Sequence, residues 1–326
     1  MRTEAELVRF LRDKFRAGGG LRVGIGDDAA VVRAGPREWV LTTDLLVERA
    51  HFLPQTHPAR TVGWKALARS LSDCAAMGAR PRYALVALAL PPATPDRWVR
   101  EFFSGFAQLA CRHGVRLAGG DLSRAKQIVA DVQIIGEVPR GRAVLRRGAR
   151  PGDVIFVSGT LGLAGLGLAC LRKKLMPAGS LARQALRAQL YPEPRVSLAQ
   201  ALARRGVTAM IDVSDGLSTD LHHLCEASAV GARIRAKKIP AAKVSAELAR
   251  RLGTSGLELA LNSGEDYELL FTLPPARAAR LPAKLAGVRL ARIGEITRGA
   301  RVAIVKASGR EGALAARGWD HFRRVG

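Results

Sequence analysis

Carboxylates beside glycine, serine or threonine recur along the chain in six short segments. These are Gly24-Ile25-Gly26-Asp27-Asp28, Thr42-Thr43-Asp44, Ser72-Asp73, Gly119-Gly120-Asp121, Asp212-Val213-Ser214-Asp215-Gly216 and Ser263-Gly264-Glu265-Asp266. Together they hold nine of the 28 acidic residues, each at the end of an apolar, strand-like run. A single pair of adjacent acids is ordinarily a solvated turn; the recurrence calls for chemistry. If the carboxylates converge, each raises its neighbours' pKa and the set cannot stay ionised unaided. A divalent cation resolves that repulsion. Oxygen donors without His or Cys suit Mg²⁺, which typically takes one or two carboxylates, several waters and substrate phosphates. Neighbouring hydroxyls and glycine-exposed amides add donors for phosphate oxygens, so the pattern suggests phosphoryl transfer from a nucleotide. Asp27 and Asp266 can also be read as plain acceptors for backbone N–H groups.

Other chemistries are poorly supplied. The chain has no G-x-x-x-x-G-K-[ST] loop, no kinase H-R-D and D-F-G set, no G-x-S-x-G and no H-E-x-x-H. That disfavours the commonest phosphate scaffolds, serine hydrolases and zinc proteases. Cys74, Cys111, Cys170 and Cys225 are widely spaced and read as core thiols in a reducing cytoplasm. The net charge of +24 would suit nucleic acid or phosphorylated substrates. No block of five or six basic residues occurs, and three Tyr and nine Phe make a poor base-stacking platform. Nucleic acid is therefore disfavoured as a partner, and coding bias toward Arg accounts for the charge.

A core of useful size must position the acids. With 326 residues, 48% hydrophobic and 25% charged, the composition is that of a soluble two-domain protein. Residues 154–171 carry no charge, but Gly159, Gly162, Gly165 and Gly167 interrupt them, which favours a strand, a turn and a small-residue helix over a membrane span. Residues 1–15 lack the apolar stretch of a signal peptide. Strands are predicted at 29–33, 38–47, 83–90 and 128–138, with helices at 4–16, 58–77 and 95–113. Residues 139–153, rich in Arg, Gly and Pro, read as a linker between an N-terminal α/β domain (1–138) and a C-terminal α/β domain (154–326). In the second domain, strands are predicted at 154–157, 207–212, 232–235, 268–273, 289–296 and 301–305. Helices are predicted near 161–173, 179–189, 194–205, 217–227, 243–251 and 275–286.

Taken jointly and in order, the motifs resemble thiamine-monophosphate kinases. The resemblance is carried by Gly24 to Ala30, Thr42-Thr43-Asp44 with Val47-Glu48 and His51-Phe52, Lys65 to Asp73, Ala75 to Ala79 and Gly119-Gly120-Asp121. It continues through Asp212 to Leu217, Ser263 to Leu269 and Gly318-Trp319-Asp320-His321-Phe322. It implies the two-domain, mixed α+β and α/β fold of the aminoimidazole ribonucleotide synthetase-like superfamily. In that fold the N-terminal sheets form a homodimer and ATP lies in the cleft. The implied reaction is ATP-dependent phosphorylation of thiamine monophosphate to thiamine diphosphate, with several Mg²⁺ ions and no phospho-enzyme. By carry-over, Asp28, Thr42, Thr43, Asp44, Asp73, Asp121, Asp212 and Asp215 would be metal ligands. Gly120, Asp121, Arg146, Ser214 and Phe103 would contact ATP, and His51, Glu265 and Trp319 would hold the thiamine moiety. Arg146 and Asp212 would be catalytic. These roles suit the residue types: Trp stacks on a cationic ring and Arg forks onto phosphate.

Three positions depart from the family pattern. Arg49-Ala50 replaces Gly-Val, Arg69-Ser70 replaces Val-Asn, and Asn262 stands where a glycine is common. The first two bring charge or smaller side chains close to the presumed acceptor site. The alternatives are another ATP-using member of the superfamily, aminoimidazole ribonucleotide synthetase-like, with a different acceptor, and a non-catalytic basic nucleic-acid-binding protein.

Overall fold

The computed structural model describes residues 4–15, 17–175 and 179–320. The first half runs α1 (Glu4–Lys14), β1 (Leu21–Val23), β2 (Ala30–Ala34), β3 (Arg37–Val47), α2 (Ala59–Ala76), β4 (Arg80–Leu90), α3 (Asp96–His113), β5 (Arg116–Arg124) and β6 (Val129–Pro139). Its six strands form one sheet in the order β1-β2-β3-β6-β4-β5. Only β4 and β5 run parallel; the other pairs are antiparallel.

One face of this sheet is covered by α2 and α3. Fourteen of the 18 residues of α2 are buried, and no side chain caps its N-terminus at Pro58. Packing, rather than capping, therefore stabilises this helix. It lies unusually close to α3: a Cβ on Gly63 would strike the Phe102 backbone, and one on Gly105 would strike the Arg60 backbone. Along β3 the inward positions Val40 and Leu46 are fully buried, whereas Leu41 and Leu45 are 38% and 53% exposed on the opposite face. Successive side chains of a strand alternate, so Thr42 and Asp44 face inward toward α2, and Thr43 faces outward.

The second half contains β7 (Val154–Ser158), α4 (Leu163–Lys173), α5 (Gly179–Leu190), α6 (Val196–Arg204), β8 (Ala209–Val213), α7 (Leu217–Ser228), β9 (Gly231–Arg235), α8 (Ala246–Leu252) and α9 (Gly256–Asn262). These are followed by β10 (Glu268–Leu273), α10 (Pro275–Ala278), β11 (Lys284–Leu285), β12 (Val288–Thr297), β13 (Val302–Val305) and β14 (Glu311–Ala313). The sheet order is β14-β13-β9-β12-β7-β10-β8, with β11 paired to β12. Strands β7, β8 and β10 are buried along their whole length, as strands covered on both faces must be. Leucines of α7 and α9 pack on one face and α6 on the other, where Ala75 of α2 joins the two halves.

Two elements carried no expectation, and one expectation differs from the structure. Residues 116–124, which carried no predicted element, form an edge strand, and every residue of it is exposed. Residues 256–262 form a helix that no periodicity announced. The helix expected over 275–286 stops at Ala278 and gives way to β11. The stretch between the sheets is pinned down. Val144 is buried, its amide donates to the Met77 carbonyl at 3.1 Å, and the Met210 amide donates to the Leu145 carbonyl at 3.0 Å. Among the described residues no helix is long and apolar enough to cross a membrane.

Candidate active site

The two sheets meet along a cleft of about 750 Å³, within the range usual for small-ligand sites. Three of the acids arrive on regular elements. Asp44 comes from the inward face of β3, Asp73 from α2, and Asp212 from the last turn of sheet before the β8–α7 junction. The Ser72 hydroxyl donates to Asp212 Oδ2 at 2.6 Å, and the Thr42 hydroxyl donates to Asp73 Oδ2 at 2.6 Å. The first bond ties the halves of the chain together through the site itself, and the second fixes α2 against β3.

Asp28, Asp73 and Asp212 each offer a carboxylate oxygen within 4.8 Å of the others. Burial, reinforced by neighbouring carboxylates, pushes Asp212 up to about 8 and Asp73 well above the ordinary range. Arg146 supplies the nearest cation: its Nη2 donates to Asp28 Oδ1 at 2.9 Å. Two buried atoms here have no partner, Asp28 Oδ2 and Arg146 Nε. Unsatisfied buried polar groups are costly, and these two face a space that a cation and an anion would fill.

A second group lies beside the first. Asp215, Asp220 and His223 also bring ligand atoms within 4.8 Å of one another. Asp220 Oδ2 accepts from the Gly216 amide at 3.0 Å at the start of α7, and burial lowers His223 to about 4. The resemblance singled out only Asp215 of these. Asp220 and His223 lie three residues apart on one helix, a spacing that places both on one face, and this was the available signal.

Glu265 also lines the cleft. It accepts from Lys65 Nζ at 2.7 Å and from Gln189 Nε2 at 3.2 Å. Burial works against its charge, but Lys65, Arg69 and Gln189 outweigh it and hold the carboxyl below the usual range. Its backbone is strained: Glu265 and Tyr267 have φ of 59° and 48°, a region few side-chain-bearing residues adopt. Two bonds to β8 and the turn after it enforce the conformation, Glu265 N to Ser214 O at 2.7 Å and Tyr267 N to Val213 O at 2.9 Å. Backbone strain of this kind clusters at functional sites.

His57, 1% exposed, shares Gln189 with Glu265 and holds its ring between Thr56 at 2.9 Å and Gln189 at 3.4 Å. Burial, with help from Lys65, lowers it from 6.5 to about 4. Below pH 6.5 the unfolded chain therefore takes up a proton that the folded chain refuses until about pH 4. Stability must fall as pH drops through that window. Between pH 7 and pH 5 the wild type should lose about 2 kcal/mol relative to His57→Gln. Urea denaturation of both proteins at the two pH values measures this difference, and parallel losses would show that the ring is not held neutral.

Not every candidate residue reaches the cleft. Asp28, Asp44, Asp73, Arg146, Asp212, Ser214, Asp215, His51, Glu265 and Trp319 all line it. His51 Nδ1 accepts from the Val47 amide at 2.9 Å, and the Trp319 amide donates to the Asp215 carbonyl at 3.0 Å. Thr42 stands just behind, bonded to Asp73. Thr43 does not join them: strand alternation turns it to the other face, where its hydroxyl donates to Asp131. Gly120 and Asp121 lie on exposed β5, away from this cleft. Phe103 packs edge-on against Phe102, 5.2 Å between ring centres, outside the lining. Asp27 and Asp266 are amide acceptors. Asp27 Oδ1 takes the Arg146 amide at 3.2 Å, and Asp266 Oδ2 takes the Gly162 amide at 2.6 Å. His321 and Phe322 fall outside the described residues.

Known proteins resemble this chain over most of its length. The model of the AIR synthase related protein N-terminal domain matches residues 26–138, and that of the C-terminal domain matches residues 150–306. Thiamine-monophosphate kinase of Escherichia coli K12 is 38% identical over 307 residues, covering 93% of this chain and 92% of that one. The Bacillus subtilis enzyme is 32% identical over 328 residues, covering 98% and 99%. Among solved structures, AaThiL complexed with AMPPCP and TMP superposes with a TM-score of 0.85 at 32% identity, covering 98% of this chain and 97% of that one. The chain belongs to the thiamine-monophosphate kinase family.

Proposed function

We propose that this enzyme transfers the γ-phosphoryl group of ATP directly to the phosphate of thiamine monophosphate. An acceptor phosphate oxygen forms the new bond to Pγ, and the bond from Pγ to the bridging oxygen breaks, with ADP leaving on the electron pair. The observation that carries this reading is one cleft lined by an acid cluster with Arg146 and by the strained, ion-paired Glu265.

The nucleophile is already anionic, so no strong general base is needed; positioning and charge neutralisation supply the catalysis. Arg146 and Ser214 would meet the nucleotide, and His51, Glu265 and Trp319 the thiamine moiety. The acid cluster fits Mg²⁺: an all-oxygen set, raised carboxyl pKa values and the orphaned Asp28 Oδ2 all ask for a hard cation. Asp28, Asp44, Asp73, Asp212 and Asp215 would hold it. When bound, Mg²⁺ screens the negative charge of both phosphates. A cytoplasmic enzyme with its domains joined across 139–153 is the arrangement we favour.

A homodimer through the six-stranded sheet accounts for the residues outside the cleft. Leu41, Ile135 and Tyr83 form one cross-strand row on the outward face, and Leu45, Asp131, Ala87 and Asp121 form another. A second copy docked there would cover the exposed leucines and bring Thr43, Gly120 and Asp121 under a partner.

The test is incubation with Mg-ATP and either thiamine monophosphate or free thiamine, with the products identified. Thiamine diphosphate formed from the monophosphate alone is the expected result. Absence of turnover with either acceptor would remove this assignment.

A further inference from the structure

Arg69 lies on α2 between Lys65 and Asp73, one turn from each, and its side chain is 14% exposed in the wall of the cleft. Its Nη2 donates to Asp44 Oδ1 across a long 3.3 Å, and its Nε is buried without any partner. A guanidinium carries five N–H donors in a rigid fork, so most of this one is unspent. Tyr267, Asp44 and Glu265 all act on its charge. It therefore stands between the acid cluster and Glu265.

The other cations near Glu265 are engaged or solvent-exposed. Lys65 is taken by Glu265 at 2.7 Å and by the His51 carbonyl at 3.4 Å. Arg49, 81% exposed, and Arg172, on the exposed side of α4, also line the cleft, but both are exposed rather than held in its wall. At the acid cluster, Arg146 shows the same signature as Arg69: one bond to a carboxylate and an orphaned Nε. Two phosphoryl groups must meet in the proposed transfer, and the cleft wall holds two guanidinium groups with a buried, unpartnered Nε, Arg69 and Arg146.

We propose that Arg69 binds the phosphate of the acceptor and thereby selects a phosphate monoester over the corresponding unphosphorylated alcohol. Arg146 serves the donor, and Arg69 holds the acceptor oxygen toward it. The inference rests on the transfer reading given above and adds to it the residue that discriminates the acceptor. Asp44 fixes the guanidinium plane, and Nε with the free side of the fork receives the phosphate oxygens.

The experiment uses the full-length enzyme and the variants Arg69→Met, which keeps the stem, and Arg69→Lys, which keeps the charge without the fork. With Mg-ATP saturating, Arg69→Met should raise KM for thiamine monophosphate about 30-fold and leave KM for ATP within about twofold. Arg69→Lys should recover part of the loss, because a point charge replaces the fork. Free thiamine, as a competitive inhibitor, should bind wild type and both variants equally. Calorimetric titration of inorganic phosphate into enzyme holding a non-hydrolysable Mg-ATP analogue should detect binding to the wild type and weakening of about tenfold or more in Arg69→Met. An unchanged acceptor KM in Arg69→Met, accompanied by a lower Mg²⁺ requirement, would overturn the inference, since Arg69 would then merely neutralise Asp44. Wild type that binds phosphate through Arg69 yet turns over no thiamine monophosphate would overturn the transfer reading and leave the phosphate contact standing.

Discussion

Replacing Asp212 by Asn is expected to lower turnover by about a thousandfold while making the protein more stable. The first effect follows from position. Asp212 shares the cluster with Asp28 and Asp73, all three within 4.8 Å, and an amide offers one neutral oxygen where a carboxylate offers charge. Loss of one preorganised charge contact in a water-poor site costs about 3–4 kcal/mol of transition-state stabilisation. The second effect follows from electrostatics. Burial and the neighbouring Asp28 raise Asp212 to about 8, so its ionisation opposes folding. Stability present below the ordinary carboxyl pKa is lost as pH rises toward 8, and the amide escapes that loss. Asn can still accept the Ser72 hydroxyl bond seen at 2.6 Å, so the local shape survives. Without added Mg²⁺, the variant should exceed wild type by about 1–3 kcal/mol at pH 8; the gap should close on titration with Mg²⁺ if the cation relieves the same repulsion. Denaturation with and without Mg²⁺, beside steady-state rates, reads both effects. A variant both active and unchanged in stability would show that Asp212 lies outside the cluster.

Some of this site was legible in the sequence and some was hidden for physical reasons. Asp28, Asp73 and Asp212 sit beside small polar residues at the ends of apolar runs, and few other acids exist to compete for notice. The period of two along β3 could have separated Thr43 from Thr42 and Asp44 beforehand. Strand β5 could not be read this way. Arg116-Leu117-Ala118-Gly119-Gly120-Asp121 lacks β-branched residues and buries none of its positions, so only pairing with β4 makes it a strand. The site cations were hidden by abundance. Lys65 and Arg69 are two of 52 basic residues, and their partners lie far away in sequence or on another element. Their spacing carried a signal nonetheless. Positions 65, 69, 72 and 73 fall on one helical stripe, and a polar stripe on a helix otherwise buried among apolar neighbours marks a site.

Replacing Lys65 by Met should destabilise the protein by about 3–5 kcal/mol, among the largest effects of any single change here. Lys65 is 1% exposed, and its ammonium donates to the Glu265 carboxylate and the His51 carbonyl. Met fills the stem's volume, so the cost is electrostatic: Glu265 is left buried with only Arg69 and Gln189 to face it. Glu265 must also keep φ at 59°, and its ion pair reaches across from α2 to hold that strained turn against β8. The converse variant, Glu265→Gln, strands the Lys65 ammonium, whose charge burial already disfavours. The double variant Lys65→Met with Glu265→Gln removes both charges together and should recover at least about 2 kcal/mol of the summed single losses. Acceptor binding separates the structural from the functional share. If Glu265 meets the aminopyrimidine, the double variant will fold yet hold free thiamine poorly. Single losses that add to within about 0.5 kcal/mol would show that the two side chains do not meet.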